Sequence, residues 1–212
     1  MKITIFSDVH GNLPALEALL QRERDADRYV FLGDAVNYGP WSDGCVALIA
    51  GLRDCVRIRG NHEDDFLAGR YSGTNEVARM FFEHCHPRFH RWDDIAGYVP
   101  QWRHEGFTCV HTLGGKRIYA DTPLVLDDNY FIGHSHHQFC TRSGEYALHN
   151  VGSVGQDRKH IDLVNYANWF PSEARVEPVK FPHDIDAVIA EMRAQDYPRD
   201  CLDYYTSKAR ST

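Results

Sequence analysis

The chain lacks closely spaced cysteine pairs and long apolar runs, and these absences exclude several classes of protein. Its six cysteines include no C-x-x-C pair, so buried thiols in a reducing cytosol are favoured over a disulfide framework or a zinc knuckle. No apolar run approaches the ~18 residues that span a bilayer, and polar residues interrupt the N-terminal apolar segment too early for a signal peptide. We therefore expect a cytoplasmic protein without a membrane partner.

Positive charge is also scarce. Lys and Arg number 23 against 30 Asp and Glu, which gives a net charge of -7 at pH 7, and this balance argues against a groove for polymeric nucleic acid. The net negative charge does not exclude anionic substrates, because bound cations would dominate the local electric field. The chain has no internal repeat, low-complexity tract or linker, and 43% apolar residues are available for a core. Residues 1–212 are therefore predicted to form a single domain.

The first third of the chain alternates between strand and helix patterns. Residues 2–6, 29–32 and 56–58 are short, apolar and rich in β-branched or aromatic side chains, as buried strands are. A helix capped by Asn12 follows the first of them, and a second helix is expected to start at Ser42. A β-α-β-α-β order indicates parallel strands joined by crossover helices.

The remainder is predicted to be helical first and then mainly β. Residues 63–104 have mostly helical spacing, residues 184–194 form a late helix, and the tail from Ser207 onward is expected to fray. The candidate strands are residues 107–110, 129–132, 146–149, 161–167 and 174–181. Turn-rich links between the late strands suggest a second sheet with antiparallel pairing. We expect an α/β fold of two sheets packed face to face, with helices outside.

Five short polar clusters follow apolar stretches and supply two carboxylates, one amide and four imidazoles. The clusters are Ser7-Asp8-Val9-His10-Gly11-Asn12, Gly33-Asp34-Ala35-Val36-Asn37, Gly60-Asn61-His62-Glu63, Val110-His111-Thr112 and Gly133-His134-Ser135-His136. In open parallel sheets, ligand sites gather beyond the carboxyl ends of the strands, so the clusters can converge. No single cluster could hold a pair of metal ions, but together they can.

The spacing within the clusters suggests how the side chains would meet. Asp8 and His10 alternate, as do His134 and His136, so an extended backbone would direct each pair to one side. Asp34 stands alone after its strand and is the natural carboxylate to bridge two cations. Oxygen and nitrogen ligands without thiolate favour Mn²⁺, Fe, Zn²⁺ or Ni²⁺.

Asn61 and His111 complete the ligand set, and His62 is left over as a catalytic candidate. Two cations about 3.5–4 Å apart lower the pKa of a bridging water and bind a phosphoryl oxygen. The resulting hydroxide can then attack phosphorus in line with the leaving oxygen. His62 would then donate a proton to the leaving oxygen, or a hydrogen bond to the transition state. The chemistry predicted is hydrolysis of a phosphate ester.

The motifs Asp-Val-His-Gly-Asn, Gly-Asp-Ala-Val-Asn, Gly-Asn-His-Glu and Gly-His-Ser-His resemble those of the calcineurin-like metallophosphoesterases. The resemblance runs from residue 3 to about residue 156 and ends in a loop, residues 150–156, similar to one in the small prokaryotic branch of the family. It implies a four-layer α/β/β/α sandwich of two mixed sheets flanked by helices. It implies one metal on Asp8, His10, Asp34 and His136. It implies a second metal on Asp34, Asn61, His111 and His134, with Mn²⁺ the expected ion at both sites.

One departure from the family pattern bears on the substrate. Protein phosphatases of the family carry Gly-Asp-x-x-Asp-Arg-Gly, whereas this chain has Asn37 and Tyr38 at the Asp and Arg positions. This favours hydrolysis of phosphodiester or pyrophosphate bonds in a small or nucleotide-like substrate, and Asn37 and Tyr38 become candidate substrate-binding residues. The alternatives are a phosphomonoesterase or protein phosphatase, and a metal-binding scaffold without catalysis.

Each residue also has a simpler interpretation. A single histidine after an apolar strand is more often structural than a ligand, and Asp8 or Asp34 could be a helix cap. The order and spacing of all the clusters together make coincidence a poor explanation. Lys116 and Arg117 could grip a phosphate, although a solvated loop is the commoner role for such residues. The histidines outside the motifs are expected to be structural or on the surface.

Overall fold

Two five-stranded sheets and seven α-helices make up residues 1–211, the part of the chain that the computed structural model describes. The strands are β1 Ile3–Phe6, β2 Arg28–Phe31, β3 Cys55–Arg57, β4 Gln101–His104, β5 Phe107–Val110, β6 Asn129–Ile132, β7 Gln138–Ser143, β8 Tyr146–Val151, β9 Leu163–Phe170 and β10 Arg175–Pro182. The helices are α1 Leu13–Arg22, α2 Ser42–Gly51, α3 Asn61–Ala68, α4 Glu76–Cys85, α5 Trp92–Ala96, α6 Ile185–Ala194 and α7 Arg199–Thr206.

The first sheet has the order β10-β9-β1-β2-β3. β1, β2 and β3 run parallel, as the β-α-β-α-β pattern predicted, and β9 pairs antiparallel with both β1 and β10. The prediction of a second sheet from the later strands is confirmed for residues 107–110, 129–132 and 146–149 and is wrong for β9 and β10, which extend the first sheet. Seven consecutive residues of β9 are buried, as expected for a strand between two neighbours that is covered on both faces.

The second sheet has the order β4-β5-β6-β8-β7. β5, β6 and β8 run parallel, and the edge strands β4 and β7 pair antiparallel with their neighbours. β4 falls inside the segment predicted to be mainly helical, and β7 had no prediction. Both edge strands expose alternate side chains and have few fully buried residues, so the apolar pattern that marks an interior strand is missing from them.

Three apolar layers hold the molecule together. Between the sheets, Ile5 and Val30 of the first meet Phe131 of the second. Residues of all seven helices join the cluster on the outer face of the first sheet. The outer face of the second sheet is covered by residues 113–126, which have no helix. The α/β arrangement of two mixed sheets flanked by helices is confirmed, and the segment 113–126 forms its outermost layer beyond the second sheet.

The predicted helix starts are confirmed, and the C-terminal tail differs from expectation. Asn12 accepts a hydrogen bond from the backbone N–H of Ala15 at 3.1 Å and caps α1, and α2 begins at Ser42. α7 was not predicted. Residues 207–211 are anchored rather than frayed, since the Ala209 carbonyl accepts from the N–H of Ile161 at 3.0 Å; Thr212 lies outside the described residues. Over residues 1–211, no helix combines the length and apolar character needed to cross a membrane.

Candidate metal centre

The five polar clusters meet at one end of the two sheets. Asp8, Asp34 and Asn61 follow the parallel strands β1, β2 and β3, while His111 and His134 follow β5 and β6. Each lies at the carboxyl end of its strand, where parallel strands bring their loops together. The structure brings all seven predicted ligand residues into contact across the seam between the sheets.

The backbone at the clusters is in the left-handed region. The φ angles are 55° at Asp8, 49° at His10, 64° at Asp34, 66° at His134 and 60° at His136. The prediction that an extended backbone aligns these side chains is therefore wrong, although the side chains do converge. Such φ values cost about 1–3 kcal/mol each in a non-glycine residue and persist where the surroundings enforce them. At Asp8 and His10, hydrogen bonds from the two N–H groups to the carbonyls of Gly33 and Asp34, at 2.9 and 3.0 Å, hold the backbone in this conformation.

Two glycines allow the carboxylates to lie against the opposing loops. A Cβ on Gly60 would collide with Oδ1 of Asp34, and a Cβ on Gly133 would collide with Oδ2 of Asp8. Each glycine directly precedes one of the predicted ligands, Asn61 or His134. A side chain at either position would push a carboxylate out of the cluster.

Each carboxylate has one oxygen that accepts a backbone N–H and one oxygen that faces imidazole groups. The N–H of His134 donates to Asp8 Oδ2, and the N–H of His62 donates to Asp34 Oδ1, both at 2.9 Å. Asp8 Oδ1 is buried without any hydrogen-bond partner in the described part of the chain. An unpaired buried carboxylate oxygen is costly, so Asp8 is prepared to bind a positively charged group.

The first group of donor atoms surrounds that free oxygen of Asp8. His136 Nε2 lies 3.2 Å from it and His10 Nε2 lies 3.6 Å from it. The Nδ1 atoms of the two rings face the carbonyls of Gln156 and Val36, at 2.8 and 3.2 Å. If each Nδ1 carries the ring proton and donates a hydrogen bond to its carbonyl, both Nε2 atoms present lone pairs. These two Nε2 atoms are 3.1 Å apart, so their lone pairs repel each other. A cation between them would remove that repulsion.

The second group of donor atoms surrounds Oδ2 of Asp34. His111 Nε2 lies 3.2 Å from Asp34 Oδ2, and 3.1 Å from both Asn61 Oδ1 and His134 Nδ1. His111 Nδ1 faces the carbonyl of Leu32 at 2.8 Å, which fixes this ring in the same way. Hydrogen bonds of this kind to the far ring nitrogen orient metal-binding histidines.

Asp34 Oδ2 lies between the two groups. It is 3.2 Å from His111 Nε2 in the second group and 3.9 Å from His10 Nε2 in the first. Because Oδ1 is occupied by a backbone N–H, this single oxygen faces both groups. One carboxylate oxygen therefore lies within 4 Å of a histidine from each group.

The buried carboxylates and imidazoles of the site shift each other's pKa values. Burial opposes ionisation of Asp8, but His136 and His10 outweigh it and hold the pKa of Asp8 well below its usual range. Burial likewise disfavours a charged His111, yet the Asp34 carboxylate raises the pKa of His111 to about 10. Buried oxygen and nitrogen donors of this kind fit hard or borderline divalent cations.

His62 borders the cluster from the first turn of α3. Its ring centroid is 5.1 Å from that of His10, and its Nδ1 lies 3.1 Å from Nδ2 of Asn37. The amide donates to Nδ1, so Nε2 carries the ring proton. Burial lowers the pKa of His62 to about 3, so the ring is neutral near pH 7. His62 is therefore arranged as a hydrogen-bond donor through Nε2.

Asn37 and Tyr38 were predicted to bind substrate, and both are buried beside His62. Asn37 contacts His62 through the hydrogen bond just described, and the Tyr38 ring packs edge-on against His62 and His10 at 5.4 and 4.9 Å. These contacts support the position of the imidazoles. Direct contact of either residue with substrate stays a prediction.

Two residues at the site were missed from the sequence. Glu63 accepts the N–H groups of Asp34, Ala35 and Gly60 at 2.7–2.8 Å and so joins two of the clusters. Its position, three residues after the helix cap Gly60, is a capping-box signal that could have drawn attention to it. Arg158 lies beside the site two residues after Gln156; no local pattern pointed to it.

A cleft opens beside the second group of donor atoms. It has a volume of about 260 Å³ and is lined by Asn61, His111, Arg59, Asp64 and Thr112 among others. The structure provides an opening there for a small ligand that reaches the donor atoms.

A profile of the family described as calcineurin-like phosphoesterase matches residues 1–190, and the chain belongs to that family. A solved metallophosphoesterase from Sphaerobacter thermophilus is 26% identical, superposes with a TM-score of 0.80, and is matched over 99% of both chains. The protein MJ0912 of Methanocaldococcus jannaschii is 26% identical over 86% of this chain and 88% of its own length. Phosphodiesterase YfcE of Escherichia coli is 28% identical over 73% of this chain and 79% of its own length.

Membership of this family identifies the chain as a metal-dependent phosphoesterase, a hydrolase of phosphate esters. The donor atoms described above are candidate ligands for its divalent metals.

Proposed function

We propose that the site holds two divalent cations and hydrolyses phosphodiester or pyrophosphate bonds in a small or nucleotide-like substrate. The first cation would be held by Asp8, His10, Asp34 and His136. The second would be held by Asp34, Asn61, His111 and His134. The observation that carries the proposal is the position of Asp34 Oδ2, which faces both groups of donor atoms.

The cations supply an activated water and polarise a phosphoryl oxygen when they are bound. The chain's own residues hold the carboxylates and imidazoles rigid through backbone hydrogen bonds, so that little reorganisation accompanies the reaction. His62 presents its Nε2–H to the leaving oxygen. The hydroxyl of a water would add to phosphorus, the bond from phosphorus to the leaving oxygen would break, and the other proton of that water would end on the leaving oxygen. A neutral His62 stabilises the charge on the leaving oxygen by hydrogen bonding.

Three features support a small diester or pyrophosphate substrate. The cleft beside His111 has a volume of about 260 Å³, which suits a small ligand. His62 is held by the neutral amide of Asn37, where protein phosphatases of the family are expected to have a carboxylate. The relative YfcE is named a phosphodiesterase. We propose Mn²⁺ as the resident metal. Fe, Zn²⁺ and Ni²⁺ are the alternatives, because they also bind oxygen and nitrogen donors.

The experiment compares bis(p-nitrophenyl) phosphate with p-nitrophenyl phosphate as substrates of the Mn²⁺-loaded protein. We expect the diester to be hydrolysed with the higher kcat/KM, and elemental analysis to find two equivalents of metal per chain. Removal of metal with EDTA should abolish turnover, and Mn²⁺ should restore it. A tenfold preference for the monoester would overturn the diester assignment, and a single tightly bound metal would overturn the dinuclear one.

A further inference from the structure

Arg158 is a partly buried cation without a carboxylate partner. Its Nη1 donates a hydrogen bond to the hydroxyl of Tyr204, and its guanidinium also lies beside the hydroxyl of Tyr38. Within residues 1–211 it forms no ion pair with Asp or Glu; Asp8, a predicted metal ligand, is the carboxylate that acts on its charge. A partly buried charge that is paired with phenol hydroxyls alone is unfavourable, unless an anion joins it.

A second cation lies over the ring of the same tyrosine. Lys208 Nζ is 4.5 Å from the centroid of the Tyr204 ring. Burial and the charge of Arg158 lower the pKa of Lys208, which indicates that the two positive side chains oppose each other. Two like charges around one ring, in a protein of net charge -7, are a local arrangement that an anionic ligand would stabilise.

This cationic pair lies next to the metal-binding cluster on the side of His62. The Tyr38 ring packs on His62 at 5.4 Å and faces Tyr204 at 6.1 Å. Tyr38 therefore connects the proposed leaving-group donor to the two cations. Tyr204, which accepts the hydrogen bond from Arg158, also contacts Oε1 of Gln156 at 3.5 Å. The carbonyl of Gln156 lies 2.8 Å from His136 Nδ1, so Gln156 links Tyr204 to the first group of donor atoms.

We propose that Arg158 and Lys208 bind a second phosphate of the substrate, the one carried by the leaving group. The inference rests on the proposed function and narrows it to substrates that contain a pyrophosphate or longer phosphate chain. Arg158 contacts the leaving phosphate directly, and Tyr204 positions its guanidinium. A planar guanidinium suits bidentate contact with phosphate oxygens, and Lys208 adds a point charge.

The test is calorimetric binding of inorganic pyrophosphate and of inorganic phosphate to the Mn²⁺-loaded protein, which needs no turnover. We expect Arg158→Gln to weaken pyrophosphate binding about 10- to 100-fold, the range for a lost charge-assisted hydrogen bond, and phosphate binding less than threefold. Arg158→Lys should recover part of the loss. Arg199→Gln removes the same charge from a side chain that is 92% exposed and should change neither affinity.

Three results would overturn the inference. If Arg158→Gln weakens the binding of pyrophosphate and of phosphate equally, Arg158 contacts the reacting phosphate instead. If pyrophosphate binds with unchanged affinity, Arg158 has no role in binding. If the variant loses its bound metal, the role of Arg158 is structural. If Arg158→Gln does not fold, Lys208→Gln provides the test, with selective weakening of pyrophosphate expected and no change contradicting it. Failure of the proposed function would look different, since it would leave pyrophosphate binding intact while no phosphoester is hydrolysed.

Discussion

Glu63 offers a test of how the clusters are held together, because one buried carboxylate accepts three backbone N–H groups. Oε2 accepts from Asp34 and Gly60, and Oε1 accepts from Ala35. In Glu63→Gln the amide oxygen can replace Oε2, but the amide nitrogen then faces the N–H of Ala35. One buried donor is left unpaired, which costs about 1–3 kcal/mol. Glu63→Ala leaves three donors unpaired and should cost roughly 3–9 kcal/mol before water enters.

The assay is urea unfolding of the metal-free protein at pH 8. Burial and the Asp34 charge raise the pKa of Glu63 to about 7, so at pH 8 the carboxylate is ionised and accepts all three bonds. The same variants should bind Mn²⁺ about 10- to 100-fold more weakly, the usual loss when a residue that supports metal ligands is removed. Metal titration by calorimetry measures this second effect.

Glu83→Gln is the matched control, since Glu83 is exposed on α4 and its substitution should change the free energy of unfolding by less than about 0.5 kcal/mol. A Glu63→Gln variant that matches this control in stability and still binds two metals with unchanged affinity would contradict the prediction. The three hydrogen bonds would then contribute nothing to the position of Asp34.

Three further predictions concern the ligands and the catalytic histidine. Asp34→Asn should lower the affinity for both metals because the shared charge is lost, and unchanged metal content by elemental analysis would contradict the bridge. His62→Ala should reduce kcat by about 10²–10⁴ with near-normal metal content, whereas parallel loss of both would make His62 a ligand. Gly133→Ala should displace the Asp8 carboxylate and impair metal binding; Gly51→Ala, where a Cβ meets nothing within 4 Å, is the control and should bind metal normally.

The parallel half of the first sheet could be predicted from the sequence, but the full composition of the sheets could not. β1, β2 and β3 are short apolar runs separated by capped helices, and such signals are local. β9 is apolar along most of its length, and a fully buried strand has no alternation to show which neighbours it will have. Its pairing with β1 joins segments about 160 residues apart and depends on the assembled core.

In the candidate site too, some features could be predicted from the sequence and others depend on tertiary structure. The sequence determined which donor atoms are available and in what order, because each ligand lies in a short motif at the end of a strand. Tertiary structure decided the left-handed backbone at Asp8 and Asp34, since hydrogen bonds between loops enforce it. It also decided the contact of Arg158 with Tyr204, 46 residues away. Identity and order are properties of a local segment, whereas burial, strain and charge balance arise when distant segments are packed together.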